Sequence, residues 1–335
     1  MDSLTHIVLG ACIGEALAGK YLGKKAMILG IIGQSIPDID FISGIWLTGT
    51  DQIMAHRAFT HSILFAVIVT LLLSWISARI LHLHNVRLRK YILLFSVNIF
   101  VHIFIDTFNA YGTALLSPFS DTRYSFNTLF VADPLFSIGP FAACMWLWFT
   151  KQRSLRNTIV ALAGIVYCIF YIGYAVYNKT TADKALARTL SEKHIPSSGY
   201  ISTPTLFNTW LWFMVVKQPQ GYQVGYRSVF DKQENITLHY IPRNDSLLSQ
   251  AASPKDLHDL LKFANGYYTV EKWHDTLTMN ILRFGQTGWQ DSSTRFAFYY
   301  LLNQPGGNTL VTQRGRFKGM DAHSISRFIQ RIKGY

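Results

Sequence analysis

Residues 63–81 read ILFAVIVTLLLSWISARIL, a run of 19 residues in which Arg79 is the one charged side chain. A helix needs about 20 such residues to cross the hydrocarbon core of a bilayer. Directly before this run stands HRAFTHS, residues 56–62, which places two histidines, an arginine and a threonine at the start of an apolar helix. The stretch therefore indicates a membrane protein with polar groups gathered at one end of a helix.

The composition of the whole chain supports the membrane class. Half of the 335 residues are hydrophobic and 15% are charged, whereas about 25% are charged in soluble domains. The net charge of +12 could suggest nucleic acid, but cationic cytoplasmic loops explain it better, so we expect no nucleic-acid partner. The long apolar runs end near Asn178, which predicts a helical membrane domain over residues 1–179 and a soluble, exported domain over residues 180–335.

Hydropathy predicts about six helices in the membrane domain, the first two of them short. Their expected bounds are Leu4–Ala18, Ala26–Ile36, Ser62–Leu81, Tyr91–Phe108, Leu135–Thr150 and Asn157–Tyr177. The first two contain several glycines, so we expect a tight hairpin that packs through small residues and only partly crosses the membrane.

Basic residues fall in alternate connections between these helices. Those after the first, third and fifth helices hold Lys20, Lys24, Lys25, Arg79, Arg87, Arg89, Lys90, Lys151, Arg153 and Arg156. Because Lys and Arg accumulate in cytoplasmic loops, these connections are assigned to the cytoplasm. Everything after Tyr177 is then expected on the exported side of the inner membrane.

The C-terminal half has the pattern of a soluble α+β domain. Alternating runs rich in β-branched and aromatic residues predict an antiparallel sheet. They are GYQVGYRSVF, ITLHYI, LTMNILRFG, RFAFYYLL and TLVTQRG. Helices are expected at KTTADKALARTLSEKH, SPKDLHDLLKFAN and DAHSISRFIQRIKGY. The fold class is therefore a multi-pass α-helical membrane bundle followed by a soluble α+β domain.

Metal-capable side chains recur at one end of the predicted bundle. They are His6, Asp38, Asp40, His56, His61, His102, Asp106 and Asp133. Imidazole and carboxylate oxygens suit zinc, manganese or iron. In an alternating bundle all of these positions fall on the exported side. His102 and Asp106 are four residues apart, so one face of a helix presents both.

Each position also has a structural explanation. His6 lies beside the possible helix caps Asp2 and Ser3, and Asp38 with Asp40 follows Pro37 in a turn-forming stretch. Asp133 precedes Pro134, which is the pattern of a helix cap, and Thr60 is expected only to cap the third helix. His102 and Asp106 favour function, because ionisable groups inside an apolar helix are costly.

The motifs MDSLTH, PDID, HRAFTHS, HIFIDTFNAYGT and the later DP resemble those of the bacterial membrane-bound metal-dependent hydrolase family. The resemblance covers about the first half of the chain, and the second half looks like the exported domain of longer members. It implies a metal-dependent hydrolase of the inner membrane. The His and Asp set is also similar to that of zinc-dependent phospholipase C, which suggests phosphoester cleavage.

From these residues we expect one or two divalent ions, zinc in the first place, with manganese or magnesium as alternatives. The expected metal ligands are His6, Asp38, His56, His61, His102 and Asp106. Asp40 or Asp133 would be the general base, Arg57 would bind an anionic oxygen of the substrate, and Asn109 and Thr113 would orient the ligands.

The position of the site at the membrane boundary predicts a lipid or lipid-linked substrate, with a phosphoester or another ester as the bond that is cleaved. Two other classes stay open: a metal-binding receptor or transporter, and a structural member in which the metal only stabilises the bundle. The sequence contains no signal that predicts an oligomeric state.

Overall fold

A computed structural model describes residues 1–81, 86–150, 154–273, 275–287, 295–308 and 322–334. The chain forms two compact units. The first contains Met1–Ile42 and Arg57–Ala175, and the second contains Ser43–His56 and Val176–Tyr335. A short segment of the N-terminal half, which the pattern assigns to the membrane domain, therefore packs with the C-terminal half.

The N-terminal half is helical, as its hydropathy predicts. Its helices are α1 (Ser3–Leu22), α2 (Lys24–Ser35), α3 (Gly49–Ala55), α4 (Ile63–Leu81), α5 (Leu88–Asp106), α6 (Pro134–Phe149) and α7 (Leu155–Glu192). Two 3₁₀ helices, Ile36–Ile45 and Phe59–His61, follow α2 and precede α4. The six expected helices correspond to α1, α2 and α4 to α7, and α3 is an additional short helix.

Helices α1 and α2 pack through glycine, which confirms that part of the hairpin prediction. A Cβ atom added to Gly10 would lie 2.6 Å from the carbonyl oxygen of Gly30, and one added to Gly14 would lie 2.1 Å from that of Ala26. Such distances leave no room for a side chain, so the two backbones are in direct contact. The hairpin places the start of α1 beside the end of α2.

Four helical segments of the described chain are long and apolar enough to cross a membrane. They are Lys24–Ile45, Ile63–Leu81, Leu88–Asp106 and Leu155–Glu192. The first joins α2 to the following 3₁₀ helix, so this segment is longer than the partial crossing that we expected. Helix α6 is apolar but shorter. These segments agree with the predicted multi-pass bundle.

Helix α7 runs without a break for 38 residues, from the last apolar segment into the second unit. The apolar pattern predicts an end at Tyr177 and a separate helix after it. No glycine or proline occurs between Tyr174 and Glu192, and the residues after Asn178 include several good helix formers. The helix therefore continues where the hydropathy falls.

The second unit contains two antiparallel sheets. The first has the order β1-β2-β3-β4 and the second has the order β5-β6-β7. Their strands are β1 (Gly199–Pro204), β2 (Leu211–Gln218), β3 (Gly221–Ser228), β4 (Leu238–Pro242), β5 (Tyr268–Trp273), β6 (Thr276–Thr287) and β7 (Arg295–Leu301). Helices α8 (Pro254–Ala264) and α9 (Ala322–Ile332) match the expected ones. The run TLVTQRG, residues 309–315, lies outside the described residues.

Strand β2 lies at the centre of this unit and was not predicted from its pattern. Its first six residues are all buried, so it lacks the polar and apolar alternation of a strand with one wet face. Trp212 and Met214 pack with Ala182 and Leu186 of α7. Alternate side chains of β2, including Phe213, pack against the second sheet.

The segment Ser43–His56 is held in the second unit by polar contacts. The Thr50 hydroxyl donates a hydrogen bond of 2.5 Å to Asp256, and Lys255 forms an ion pair of 2.5 Å with Asp51. Ile53 of α3 is also buried. Because the 3₁₀ helix with Asp38 precedes this segment and Arg57 follows it, both of its ends continue into residues of the predicted site.

Candidate metal centre

Four of the predicted ligands come together in the first unit. They are Asp38, His61, His102 and Asp106, whose ligand atoms all lie within 4.8 Å of one another. Asp38 comes from the 3₁₀ helix after α2, and His61 ends the 3₁₀ helix before α4. His102 and Asp106 occupy the last turns of α5. Two 3₁₀ helices and the end of α5, which are distant in sequence, therefore meet at one place.

The distances within this cluster are short. The Nε2 atoms of His61 and His102 are 3.3 Å apart, and Oδ1 of Asp38 lies 3.5 Å from each of them. Oδ2 of Asp106 lies 3.4 Å from His61 Nε2 and 3.9 Å from His102 Nε2. Two imidazoles and two carboxylates thus point at a common centre.

The partner of its other ring nitrogen determines which tautomer His102 adopts. His102 Nδ1 contacts the backbone carbonyl oxygen of Gln34, and a carbonyl oxygen only accepts. His102 must therefore be protonated at Nδ1, so that the neutral ring directs the Nε2 lone pair into the cluster. His61 Nδ1 lies 3.1 Å from the Thr60 hydroxyl oxygen and 3.9 Å from Asp40 Oδ2. Both histidines therefore have the outer-shell support that is usual for metal ligands.

This donor set fits a divalent cation. The His102 lone pair and two carboxylates repel one another unless positive charge, of an ion or of a proton on His61, lies between them, and imidazole with carboxylate suits zinc, manganese or iron. Burial by itself lowers the pKa of His61, but hydrogen bonds to Asp106 and Asp38 outweigh burial and raise that pKa above its ordinary value. The surroundings therefore favour positive charge at this position.

His6 of α1 lies beside the four clustered residues. Its Nε2 is 3.3 Å from Asp106 Oδ1, its Nδ1 is 3.1 Å from the side-chain oxygen of Gln34, and its ring stacks on His102 with centroids 3.7 Å apart. The Met1 amino nitrogen contacts the same Asp106 oxygen. The two oxygens of Asp106 therefore face His6 on one side and His61 on the other.

Arg57 is a buried partner of the cluster. Its Nη2 lies 3.0 Å from Asp106 Oδ2, and its Nη1 donates a hydrogen bond of 2.9 Å to the Asn109 side-chain oxygen. Its backbone has a φ of 55°, and its N–H donates a hydrogen bond of 2.6 Å to Asp40 Oδ2. In this arrangement Arg57 supports the Asp106 carboxylate of the cluster, and binding of a substrate anion stays a prediction.

The two carboxylates predicted as general base have structural partners. Asp40 holds the Arg57 backbone, as described above. Asp133 caps α6 by accepting hydrogen bonds of 2.9 Å and 3.4 Å from the backbone N–H groups of Leu135 and Phe136, and the Tyr171 hydroxyl donates a further one of 2.8 Å. Neither belongs to the cluster of four, so a catalytic role for either residue stays a prediction, and the capping alternative describes Asp133 well.

The two histidines of HRAFTHS belong to different units. His61 lies in the cluster, whereas His56 follows the end of α3 and belongs to the second unit. The four residues between them contain the left-handed Arg57, which turns the chain. His56 is not one of the four clustered residues, and its predicted ligand role stays a prediction.

Two details of the surroundings were missed in the sequence. Gln34 supports both His6 and His102, and its one signal in the sequence is an amide side chain at the end of the apolar, glycine-rich α2. Ser62 rather than Thr60 caps α4, because the Ser62 hydroxyl accepts a hydrogen bond of 3.1 Å from the Phe65 N–H. Thr113 is fully buried, but its backbone pairs with Tyr124.

The apolar helices and the His and Asp cluster define a multi-pass membrane protein with a candidate metal site. The family model described as YdjM inner membrane protein matches residues 1–182, and the chain belongs to this family. Its membership supports a location in the inner membrane.

Two relatives are also similar. Inner membrane protein YbcI of Escherichia coli (strain K12) is 30% identical over 141 residues, which cover 42% of this chain and 77% of that protein. The uncharacterized protein YfhP of Bacillus subtilis (strain 168) is 32% identical over 228 residues, which cover 63% of this chain and 64%, less than two thirds, of that protein. No solved structure matches.

Proposed function

We propose that the protein is a metal-dependent hydrolase that cleaves an ester, in the first place a phosphoester, of a lipid or lipid-linked substrate. The observation that carries this proposal is the convergence of Asp38, His61, His102 and Asp106, with the His102 lone pair fixed toward their centre by Gln34. A divalent ion bound there, zinc in the first place, would lower the pKa of a bound water and polarise the oxygen of the scissile group.

Exposure suggests the side from which a substrate would approach. The side chain of Asp38 is 22% exposed, whereas those of His61, His102 and Asp106 are fully buried. A substrate would therefore meet the cluster at Asp38, and Asp40 or Asp133 remains the proposed general base that accepts a proton from the attacking water. The three buried ligands keep their geometry during this step, because Arg57, Gln34 and Thr60 hold them.

Apolar side chains near the ligands favour a lipid substrate. Leu4, Phe41 and Phe59 are 53%, 70% and 45% exposed, and each lies within three residues of His6, Asp38 or His61 in the chain. Exposed apolar groups that are close in sequence to the clustered residues suit a substrate with a charged headgroup and an acyl or polyprenyl chain. A soluble substrate would gain nothing from them.

The distribution of basic loops supports a site on the exported side of the inner membrane, with the C-terminal half on the same side. A reporter fused to the C-terminus tests this orientation. Activity of an export-dependent reporter such as alkaline phosphatase is expected, and activity of a cytoplasm-dependent reporter would overturn the assignment.

The hydrolase proposal is tested by metal analysis and activity of the purified protein. We expect bound metal in the parent protein, loss of metal in His61→Ala and His102→Ala, and metal retained in His258→Ala, an exposed histidine on α8. Each protein is then assayed on phospholipids and lipid-linked phosphates. Full metal content in both cluster variants would refute the site. Metal loss without hydrolysis of any substrate would favour a receptor or structural role instead.

A further inference from the structure

The second unit contains a cleft of about 1010 Å³ beside β3 and β4. Val224 of β3 is paired with His239 of β4, and Tyr222 is paired with Ile241. Because side chains alternate along a strand, Val224, His239 and Ile241 lie on one face of the sheet and form the floor of the cleft. The loop after β3 and the end of α9 form its walls.

Hydrogen bonds fix these walls in place. Arg331 at the end of α9 forms a two-point ion pair with Asp231 in the loop, at 2.5 Å and 2.9 Å. The same guanidinium donates to the backbone oxygen of Tyr226 at 2.9 Å, and the Ser228 hydroxyl donates to the backbone oxygen of Ile332. The loop, the strand and the helix are therefore tied together, and the cleft is formed before any ligand enters.

The lining of the cleft is cationic. Lys232, Arg331 and Lys333 line it, and Asp231 is the one acidic residue among its described lining residues. The charge of Asp231 is already paired with Arg331. Glu234, in the same loop, forms an ion pair of 2.8 Å with Arg188 instead. Within the described chain, Lys232 and Lys333 form no ion pair, so their charge is available to a ligand.

We propose that this cleft binds a small organic anion that carries a phosphoryl group. A phosphate group offers up to two charges and several acceptor oxygens, which suits the two lysines that line the cleft. The apolar part of the ligand would rest on Phe230 and Ile241, which line the cleft. The volume is at the upper end of small-molecule sites, about 300 to 1,000 Å³. The phosphoryl group could belong to a soluble phosphoester or to the headgroup of an anionic lipid.

Binding to the full-length protein in phosphatidylcholine nanodiscs tests the proposal. Glycerol 3-phosphate is titrated by calorimetry into the parent protein and into the double variant Lys232→Ala/Lys333→Ala. Both lysines are exposed, so the variant is expected to fold. The matched control is Lys184→Ala/Lys272→Ala, which removes two exposed lysines that do not line the cleft. His61→Ala separates this binding from any binding at the metal centre.

A second arm addresses the lipid source. Hydrogen exchange of residues 224–241 is compared between nanodiscs of phosphatidylcholine alone and nanodiscs that also contain phosphatidylglycerol. Protection that needs phosphatidylglycerol and is lost in Lys232→Ala/Lys333→Ala would identify a lipid headgroup as the anion.

The expected result is binding of one of these two probes that weakens about tenfold or more in the cleft variant and is kept in the control and in His61→Ala. Equal weakening in Lys184→Ala/Lys272→Ala would show non-specific attraction and overturn the proposal. Absence of both glycerol 3-phosphate binding and lipid-dependent protection would also overturn it.

Discussion

At the residue scale, the candidate metal centre depends on hydrogen bonds to groups outside the four clustered side chains. The Gln34 carbonyl oxygen determines which nitrogen of His102 faces the cluster. Arg57 holds Asp106, and Asp40 holds the left-handed backbone of Arg57. These contacts fix the orientation of the clustered donor atoms, which would otherwise rotate with their side chains.

Arg57 offers a test of this support. Replacing it by Ala would remove the buried guanidinium partner of the Asp106 carboxylate, and breaking a buried ion pair typically costs about 3 to 5 kcal/mol. We therefore expect Arg57→Ala to lower the free energy of unfolding by about 3 kcal/mol, measured by denaturant unfolding of the metal-loaded protein in detergent. Arg89→Ala removes an exposed arginine of α5 and should change the free energy by less than about 0.5 kcal/mol. Equal stability of the two variants would contradict the role of Arg57.

At the element scale, the contact between α1 and α2 positions two of the supporting residues. His6 lies on α1 and Gln34 on α2, and they meet because Gly10, Gly14 and Gly30 let the two backbones touch. A wider spacing of these helices would separate the two side chains. The packing of small residues is therefore a condition for the geometry of the site.

Gly14→Ala tests this dependence. The added Cβ would lie 2.1 Å from the Ala26 carbonyl oxygen, so the helices must move apart. We expect the free energy of unfolding to fall by about 2 to 3 kcal/mol and the metal content to decrease with it. Gly173→Ala is the matched control, because nothing lies within 4 Å of a Cβ atom added there. Metal content that is unchanged in Gly14→Ala would separate the hairpin packing from the site.

The apolar helices were predicted better than two other features, the end of α7 and the strand β2. Helix α7 continues into the second unit, because helix propensity persists after the apolar run ends. Strand β2 is buried on both faces, so it lacks alternation and resembles an apolar segment of unspecified type.

At the scale of the whole molecule, metal binding should stabilise one unit rather than the entire chain. The four clustered residues all belong to the unit that contains Met1–Ile42 and Arg57–Ala175. A ligand that binds only the folded state adds about 2.7 kcal/mol when its free concentration is roughly 100 times the dissociation constant.

Removal of metal by a chelator is therefore expected to increase hydrogen exchange in peptides near residues 34–42, 57–62 and 98–109. Exchange in peptides of residues 199–241 should change little, because these residues belong to the other unit. Mass spectrometry of the metal-loaded and chelated protein measures both regions at once. Exchange that is the same in all regions with and without metal would argue against an ion at the cluster.

The sequence alone determined the membrane class, the number of main helices and the residue types of the candidate site, because hydropathy and composition are properties of consecutive residues. It also predicted that one end of the bundle contains His6, Asp38, His61, His102 and Asp106, because helices that alternate in direction place alternate connections on the same side. Tertiary structure decided which of these side chains share a centre.

His56 and His61 are five residues apart, and only the folded chain separates them into different units. Likewise, only the tertiary structure brings the Gln34 carbonyl to His102 and the Arg57 guanidinium to Asp106. These contacts join positions that are 68 and 49 residues apart, and no local pattern encodes the direction in which a side chain or a carbonyl group points across such a distance.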